Sequence, residues 1–186
     1  MPLQLITPPA IEPVTLEEAK AHLKVDTAYD DALITALIAA ARARAEWHTG
    51  RAFVTQSWVL WLDGWPHGNC VEIPLPPSQA VTSLTTYASD DAATVLDASL
   101  FQVDIASSPA RVTLKSPAVI ANTRKLNAIA IAFTAGYGDA AADVPQAIRT
   151  AILEMIAELY TNRGDLESDP PAIAQAMLAP YRVLKL

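Results

Sequence analysis

Val144 to Gly164 reads VPQAIRTAILEMIAELYTNRG and carries the longest apolar repeat at helical spacing in this 186-residue chain. Ile148, Ala151, Ile152, Met155, Ile156, Leu159 and Tyr160 recur at steps of three and one, which stacks them on one face of an α-helix. Signals stand at both ends. Asp143 is placed to cap, Pro145 suits the first turn, Gln146 completes a D-x-x-Q capping box, and Gly164 can close the helix in the left-handed conformation. Leu153 and Ala157 fall outside the main face and leave Thr150, Glu154, Glu158 and Thr161 as a narrow polar strip. A helix so widely apolar needs cover on more than one side, from its own chain or from another subunit. Ile148, Ile152, Leu153, Met155, Ile156, Leu159 and Tyr160 are therefore expected in the core or at a subunit interface.

Working outward, Thr15-Leu-Glu-Glu18 is a T-x-x-E capping box that opens a short helix through Leu23, with both glutamates at its positive end. Asp26 to Tyr29 makes a turn. A second helix runs from about Asp30 to a stop at Gly50, with Leu33, Ile34, Leu37, Ile38, Ala41 and Ala45 at helical spacing. Its Ala39 to Ala45 segment is small-sided and admits close approach of a neighbouring helix, although alanine's helix propensity is reason enough for it.

From Phe53 the period changes to two. Val54, Trp58, Leu60 and Leu62 begin a series of strand candidates that continues with Val71 to Leu75, Val81 to Tyr87, Thr94 to Leu96, Phe101 to Ile105, Arg111 to Lys115 and Ala128 to Thr134. Turn residues separate them, Ser89-Asp90-Asp91 and Ser107-Ser108-Pro109 among them, which suggests an antiparallel meander or small sandwich. With nothing helical in between, a parallel sheet is disfavoured. After Gly136-Tyr-Gly138 the helical period returns, followed by a polar linker from Glu167 to Pro171, a short helix from Ala172 to Leu178 and a tail from Ala179 to Leu186. The expected fold is α+β: a helical core made of residues 1–52 and 139–186, with an antiparallel β insertion at 53–138.

Composition narrows the function. A chain of this mass buries roughly 70% of its unfolded surface without external staples. The single cysteine, Cys70, excludes an internal disulfide and any Cys-rich zinc site. No run approaches the ~20 apolar residues that span a bilayer. The opening MPLQLITPPAIEP has no basic start and carries prolines where a signal peptide would be apolar, so an unprocessed chain made in the cytoplasm is expected. The formal net charge is −7, and the 13 basic residues are scattered rather than clustered. Specific nucleic-acid binding needs a basic stripe, so this balance speaks against it.

Few residues invite chemistry. His22, His48 and His67 are far apart in sequence and lack metal-ligand spacing. No G-x-S-x-G surrounds a serine, and nothing in sequence activates Cys70. Gly136-x-Gly138 lacks a third glycine and reads as a turn out of the sheet. Asp30-Asp31, Asp90-Asp91 and Asp139 with Asp143 sit at helix starts and loops, where aspartate is favoured for local hydrogen bonding. Trp47, Trp58, Trp61 and Trp65 have no basic neighbours and read as packing residues rather than a stacking platform. No catalytic, metal or cofactor residue is assigned, and no cofactor is expected. Two features remain: the wide apolar face of the organising helix, and the tail APYRVLKL, which is more apolar than a free terminus and either folds back on its own core or docks on a partner.

Taken together, several segments resemble the head-tail connector, or adaptor, proteins of tailed bacteriophages, prophages and gene transfer agents, in the subgroup whose helical core carries a β insertion. They are VTLEEAKAHLKVD (Val14 to Asp26), DDALITALIAAARARAEWHTGRAFVTQSW (Asp30 to Trp58), IPLPPSQAVTSLTTY (Ile73 to Tyr87), FTAGYGD (Phe133 to Asp139), VPQAIRTAILEMIAELYTNRGD (Val144 to Asp165) and LAPYRV (Leu178 to Val183), and their order is more specific than any one of them. The resemblance implies a non-enzymatic virion protein of the particle neck, made in the bacterial host cytoplasm. It implies a ring, usually of twelve subunits, below the portal protein, with free subunits that can be monomeric. Such a ring extends the DNA channel, offers a platform to a stopper or tail-completion protein, and lets DNA pass without specific binding, which an acidic wall favours. The family's C-terminal segment engages the portal, which transfers that role to Tyr181, Arg182, Val183, Leu184 and Leu186. Two other readings compete: a small hydrolase acting through Asp143 or His48, and a host ligand-binding module using the Trp-bearing insertion.

Overall fold

The computed structural model describes residues 2–116, 120, 122–162 and 170–183. The chain divides into two units, Met1–Pro9 with Thr55–Gly136, and Ala10–Val54 with Tyr137–Leu186. The change of period near residue 54 is thus also a change of body. Residues 1–9, expected with the helices, instead belong to the β unit.

The helical unit contains α1 (Leu16–Leu23), α2 (Asp31–Thr49), α3 (Gln146–Thr161) and α4 (Ala172–Leu178). Thr15 opens α1 as its sequence predicts: its Oγ1 accepts the Glu18 N–H at 3.1 Å, and Glu18 Oε2 accepts the Thr15 N–H at 2.9 Å. Two donors that a helix start would leave orphaned are satisfied. At the far end of α2, Gly50 takes φ +70° and donates its N–H to the Glu46 carbonyl at 2.8 Å. A Cβ there would strain the backbone, which explains the glycine.

The start of α3 departs from the expected capping box. Proline disfavours helical geometry in the residue before it, so Val144 is extended (φ −76°, ψ 127°) and the helix begins only at Gln146. Asp143 lies in a preceding 3-10 turn, and its Oδ2 accepts the Ala140 N–H at 2.9 Å instead of capping α3. Asn162 follows the last helical residue, and Gly164, the expected stop, lies outside the described residues.

The core of this unit is built from Ile34, Ile38, Ala41 and Ala45 of α2, Ile148, Ala151, Ile152, Met155 and Ile156 of α3, and Ala174 and Leu178 of α4. Phe53 and Val54, expected to start a strand, are buried in this helical core. Charged residues tie the helices along the rim. Tyr160 donates its hydroxyl to Asp30 at 2.6 Å, and Arg44 pairs with Glu158 at 3.5 Å. Arg149 reaches the Pro13 carbonyl at 2.9 Å and also pairs with Glu18.

Among the described residues the β unit has eight strands: β1 (Leu3–Thr7), β2 (Gln56–Leu62), β3 (Cys70–Ile73), β4 (Ser78–Tyr87), β5 (Ala93–Val95), β6 (Phe101–Asp104), β7 (Ala110–Leu114) and β8 (Ile129–Ala135). They form a five-stranded sheet in the order β1-β2-β8-β4-β5 and a three-stranded sheet in the order β3-β7-β6, with every pairing antiparallel. A meander would keep sequence neighbours together, whereas here β8 returns to lie between β2 and β4. Its position explains its sequence: IAIAFTA is apolar almost throughout because a central strand is covered on both sides. By contrast β7 alternates buried and open residues. The fold class is α+β.

Candidate interaction surfaces

No group of three or more His, Cys, Asp or Glu side chains suited to a metal ion occurs among the described residues. His22 faces Glu154 at 3.9 Å and His67 is exposed in a loop. Asp143 is committed to the Ala140 N–H and crowds Gly138, where an added Cβ would come within 2.1 Å of its carboxylate. That contact, with Gly136 at φ +137°, makes Gly136-Tyr137-Gly138 a tight exit from β8. An open depression of about 590 Å³ on the three-stranded sheet is lined by Cys70, Gln102, Asp104 and Arg111. Its carboxylate is tied up as well. Asp104 accepts from Arg111 at 2.6 Å and from Ser107 at 2.7 Å, and these bonds, Arg111 first, hold its pKa far below the usual carboxylate range. A carboxylate so held is a poor proton acceptor at neutral pH.

The surfaces are more informative than the pockets. Of the α3 positions singled out by sequence, Ile148, Ile152, Met155 and Ile156 are fully buried, and Leu153, Leu159 and Tyr160 are half-buried against the same core. The chain therefore covers its widest apolar helix by itself.

The tail begins by folding back. Val183 donates its N–H to the Thr49 carbonyl at 2.8 Å, and Arg51 Nε donates to the Tyr181 carbonyl. The Val183 side chain lies against Gly50, and Tyr181 packs on the helical core. Arg182 between them is exposed, and Leu184 and Leu186 lie outside the described residues. Sequence reasoning named these residues but missed Arg51, the basic side chain that fastens the tail's start to the end of α2.

The tryptophans separate into two kinds. Trp58, Trp61 and Trp65 are half-buried in the β unit. Trp61 donates its indole N–H to Gln4 at 3.1 Å, and its ring centroid lies 5.7 Å from that of Tyr87, over which Arg124 stacks at 4.2 Å. Trp47 on α2 is different, being 83% exposed. It lies in line with exposed Leu33, Ala36, Ala40 and Ala43, at alternating steps of three and four. The charged residues of α2 lie off this line and are ion-paired within the chain. Asp31 pairs with Lys20 at 2.5 Å, Arg42 with Glu12 and Glu46 at 2.7 Å each, and Arg44 with Glu158. Burial works against the charge of Arg42, but the two carboxylates outweigh it and raise its pKa.

Comparison with known proteins bears on what such surfaces serve. The sequence profile of the phage gp6-like head-tail connector protein family matches residues 13–94, from the start of α1 to β5. Among solved structures, the chain superposes over its whole length on a protein of the virion of a native gene transfer agent particle, with a TM-score of 0.84, 22% identity and 97% of that chain covered. The two chains share a fold. Two further matches come from the neck of an empty gene transfer agent particle computed with C6 symmetry (TM-score 0.81, 22% identity) and the neck of a native one computed with C12 symmetry (TM-score 0.78, 24% identity). Each covers all of this chain and 97% of the other. No curated protein matches the sequence. The helices that open the chain fall within the family match, and the fold match extends through the β unit to the tail.

Proposed function

We propose that this protein is a structural head-tail connector in the neck of a tailed phage, prophage or gene transfer agent particle, and not an enzyme. The observation that carries the reading is the coincidence of two independent similarities: a connector-family sequence match across α1 and α2, and a full-length fold match to particle neck proteins. The committed carboxylates and self-covered α3 face agree with a role played by shape.

In this reading the subunits form a ring, of twelve copies in the particle and monomeric when free, below the portal protein and above a stopper or tail-completion protein. The C6 and C12 symmetry of the similar necks supports a ring. DNA passes through without specific binding, since a chain of net charge −7 repels phosphate. The protein is made in the host cytoplasm and ends in the virion neck. The portal contact falls to the tail: Arg182, exposed beyond the Arg51 clamp, together with Leu184 and Leu186, with Tyr181 and Val183 as its anchorage on the core.

Deleting the gene from the producing genome tests the reading. Filled heads without attached tails are the expected product, and complete, infectious or transducing particles would refute the role. Removing only residues 184–186 tests the tail: a folded subunit that no longer binds portal is expected, whereas undiminished binding would assign the portal contact elsewhere.

A further inference from the structure

The turn that follows α2 is held from both sides, and Arg51 stands in it. Gly50 and Arg51 both donate their N–H groups to the Glu46 carbonyl, at 2.8 Å and 3.2 Å. Two residues on, Phe53 is fully buried, donates its N–H to Glu46 Oε1 at 2.8 Å and accepts the Tyr137 N–H at the same distance. A backbone tied before and after Arg51 leaves freedom only to its side chain. That side chain lies beside Tyr137: burial raises the tyrosine's pKa, and the charge of Arg51 works against the rise.

From this fixed point Arg51 Nε donates to the Tyr181 carbonyl. The next attachment comes two residues later, where Val183 donates its N–H to the Thr49 carbonyl at 2.8 Å. Its side chain sits so close to Gly50 that a Cβ there would stand 3.5 Å from the Val183 Cβ. Arg182 lies between the two attachments, on extended backbone (φ −64°, ψ 132°), and is exposed. The chain is thus tied on each side of the one tail residue that faces solvent. Burying Tyr181 on the core would fold the tail back without a guanidinium committed to its main chain, so the tie does something further: it fixes the backbone that carries Arg182. An arginine on a free terminus must lose backbone as well as side-chain freedom when it enters a contact. Here the backbone share is already met in the free subunit. We infer, resting on the tail reading above, that Arg51 is a positioning residue for the portal contact: it holds Tyr181 to Val183 so that Arg182 meets the portal protein already ordered.

The test is a double-mutant cycle on the full-length protein, read as affinity for the purified portal protein. Arg51→Ala should leave the thermal midpoint of the free subunit nearly unchanged, speed amide exchange at Val183, and weaken portal binding roughly tenfold or more. Arg182→Ala should weaken binding by at least as much. The double variant should lose little beyond Arg182→Ala alone, because Arg51 acts through the residue already removed. Losses that multiply would make Arg51 an independent contact and overturn the inference. Unchanged or tighter binding by Arg51→Ala, or Val183 exchange as slow as in the parent chain, would overturn it too. Arg51→Gln supplies a second variant, and it serves if the alanine variant does not fold. Its Nε2 stands as many bonds from the backbone as the arginine Nε, so it keeps the donor and drops the charge. It should restore part of both Val183 protection and affinity, and no recovery of either would overturn the inference. A parent chain that does not bind portal, or binding that neither Arg182→Ala nor removal of residues 184–186 diminishes, refutes the tail reading and the inference together. Binding that both of those changes weaken and Arg51→Ala does not refutes the inference alone.

Discussion

Two helices of the same unit handle apolar surface in opposite ways. α3 is apolar over most of its circumference, and the chain itself covers it: α2 and α4 supply the partners for Ile148, Ile152 and Met155, while Leu153 and Tyr160 are half-buried at the margins. α2 buries one face through Ile34, Ile38, Ala41 and Ala45 and leaves the opposite face apolar and open. How apolar a helix is overall therefore does not reveal which surface remains for a partner. What matters is whether its apolar residues exceed the faces its own chain can cover, and for α3 they do not.

The contrast makes predictions, taken from the largest effect downward. Truncating Ile152 to alanine removes a fully buried side chain between packed helices and should cost about 3 kcal/mol of folding stability, read from urea unfolding. A loss under about 1 kcal/mol would mean that α3 is covered less completely than its burial indicates. Gly138→Ala should cost about 2 kcal/mol, because the new methyl group would collide with the Asp143 carboxylate on the path into α3. On α2 the expectation reverses. Trp47→Ala, for all its lost bulk, should change the stability of the free subunit by less than about 0.5 kcal/mol, since the ring is mostly in solvent. A larger loss would show that Trp47 packs within its own chain.

The smallest effect concerns pH. The backbone N–H of Thr15, aided by Arg149, lowers the Glu18 pKa in the folded state from its ordinary value of 4.5. A depressed folded pKa gives stability that is present above 4.5 and lost as pH falls through the lower folded value. Glu18→Gln should therefore lower stability modestly at pH 7 and flatten its decline on acidification. An unchanged acid profile would indicate that the α1 capping box contributes nothing through its charge.

Features set by a few adjacent residues were legible in the sequence. The Thr15–Glu18 box and the Gly50 stop are local geometry, and both formed as expected. Features decided by competition between neighbours were not. Asp143 and Gln146 have capping-box spacing, but Pro145 forces Val144 out of helical geometry and shifts the helix start. β1 escaped notice because LQLIT is a short edge strand flanked by prolines, defined only by its pairing with β2 from far along the chain. The tail's fold-back depends on Arg51 meeting a carbonyl 130 residues away, which no spacing announces. The alanines of α2 were visible, but helix propensity explained them equally well until burial separated the inward ones from those on the open face.

The central claim, a structural ring in the particle neck, is tested most directly by averaged cryo-electron images of purified particles carrying a small fused label on this protein. The account predicts label density repeated symmetrically around the axis between portal and tail. Particles with a complete neck and no label density there would contradict it.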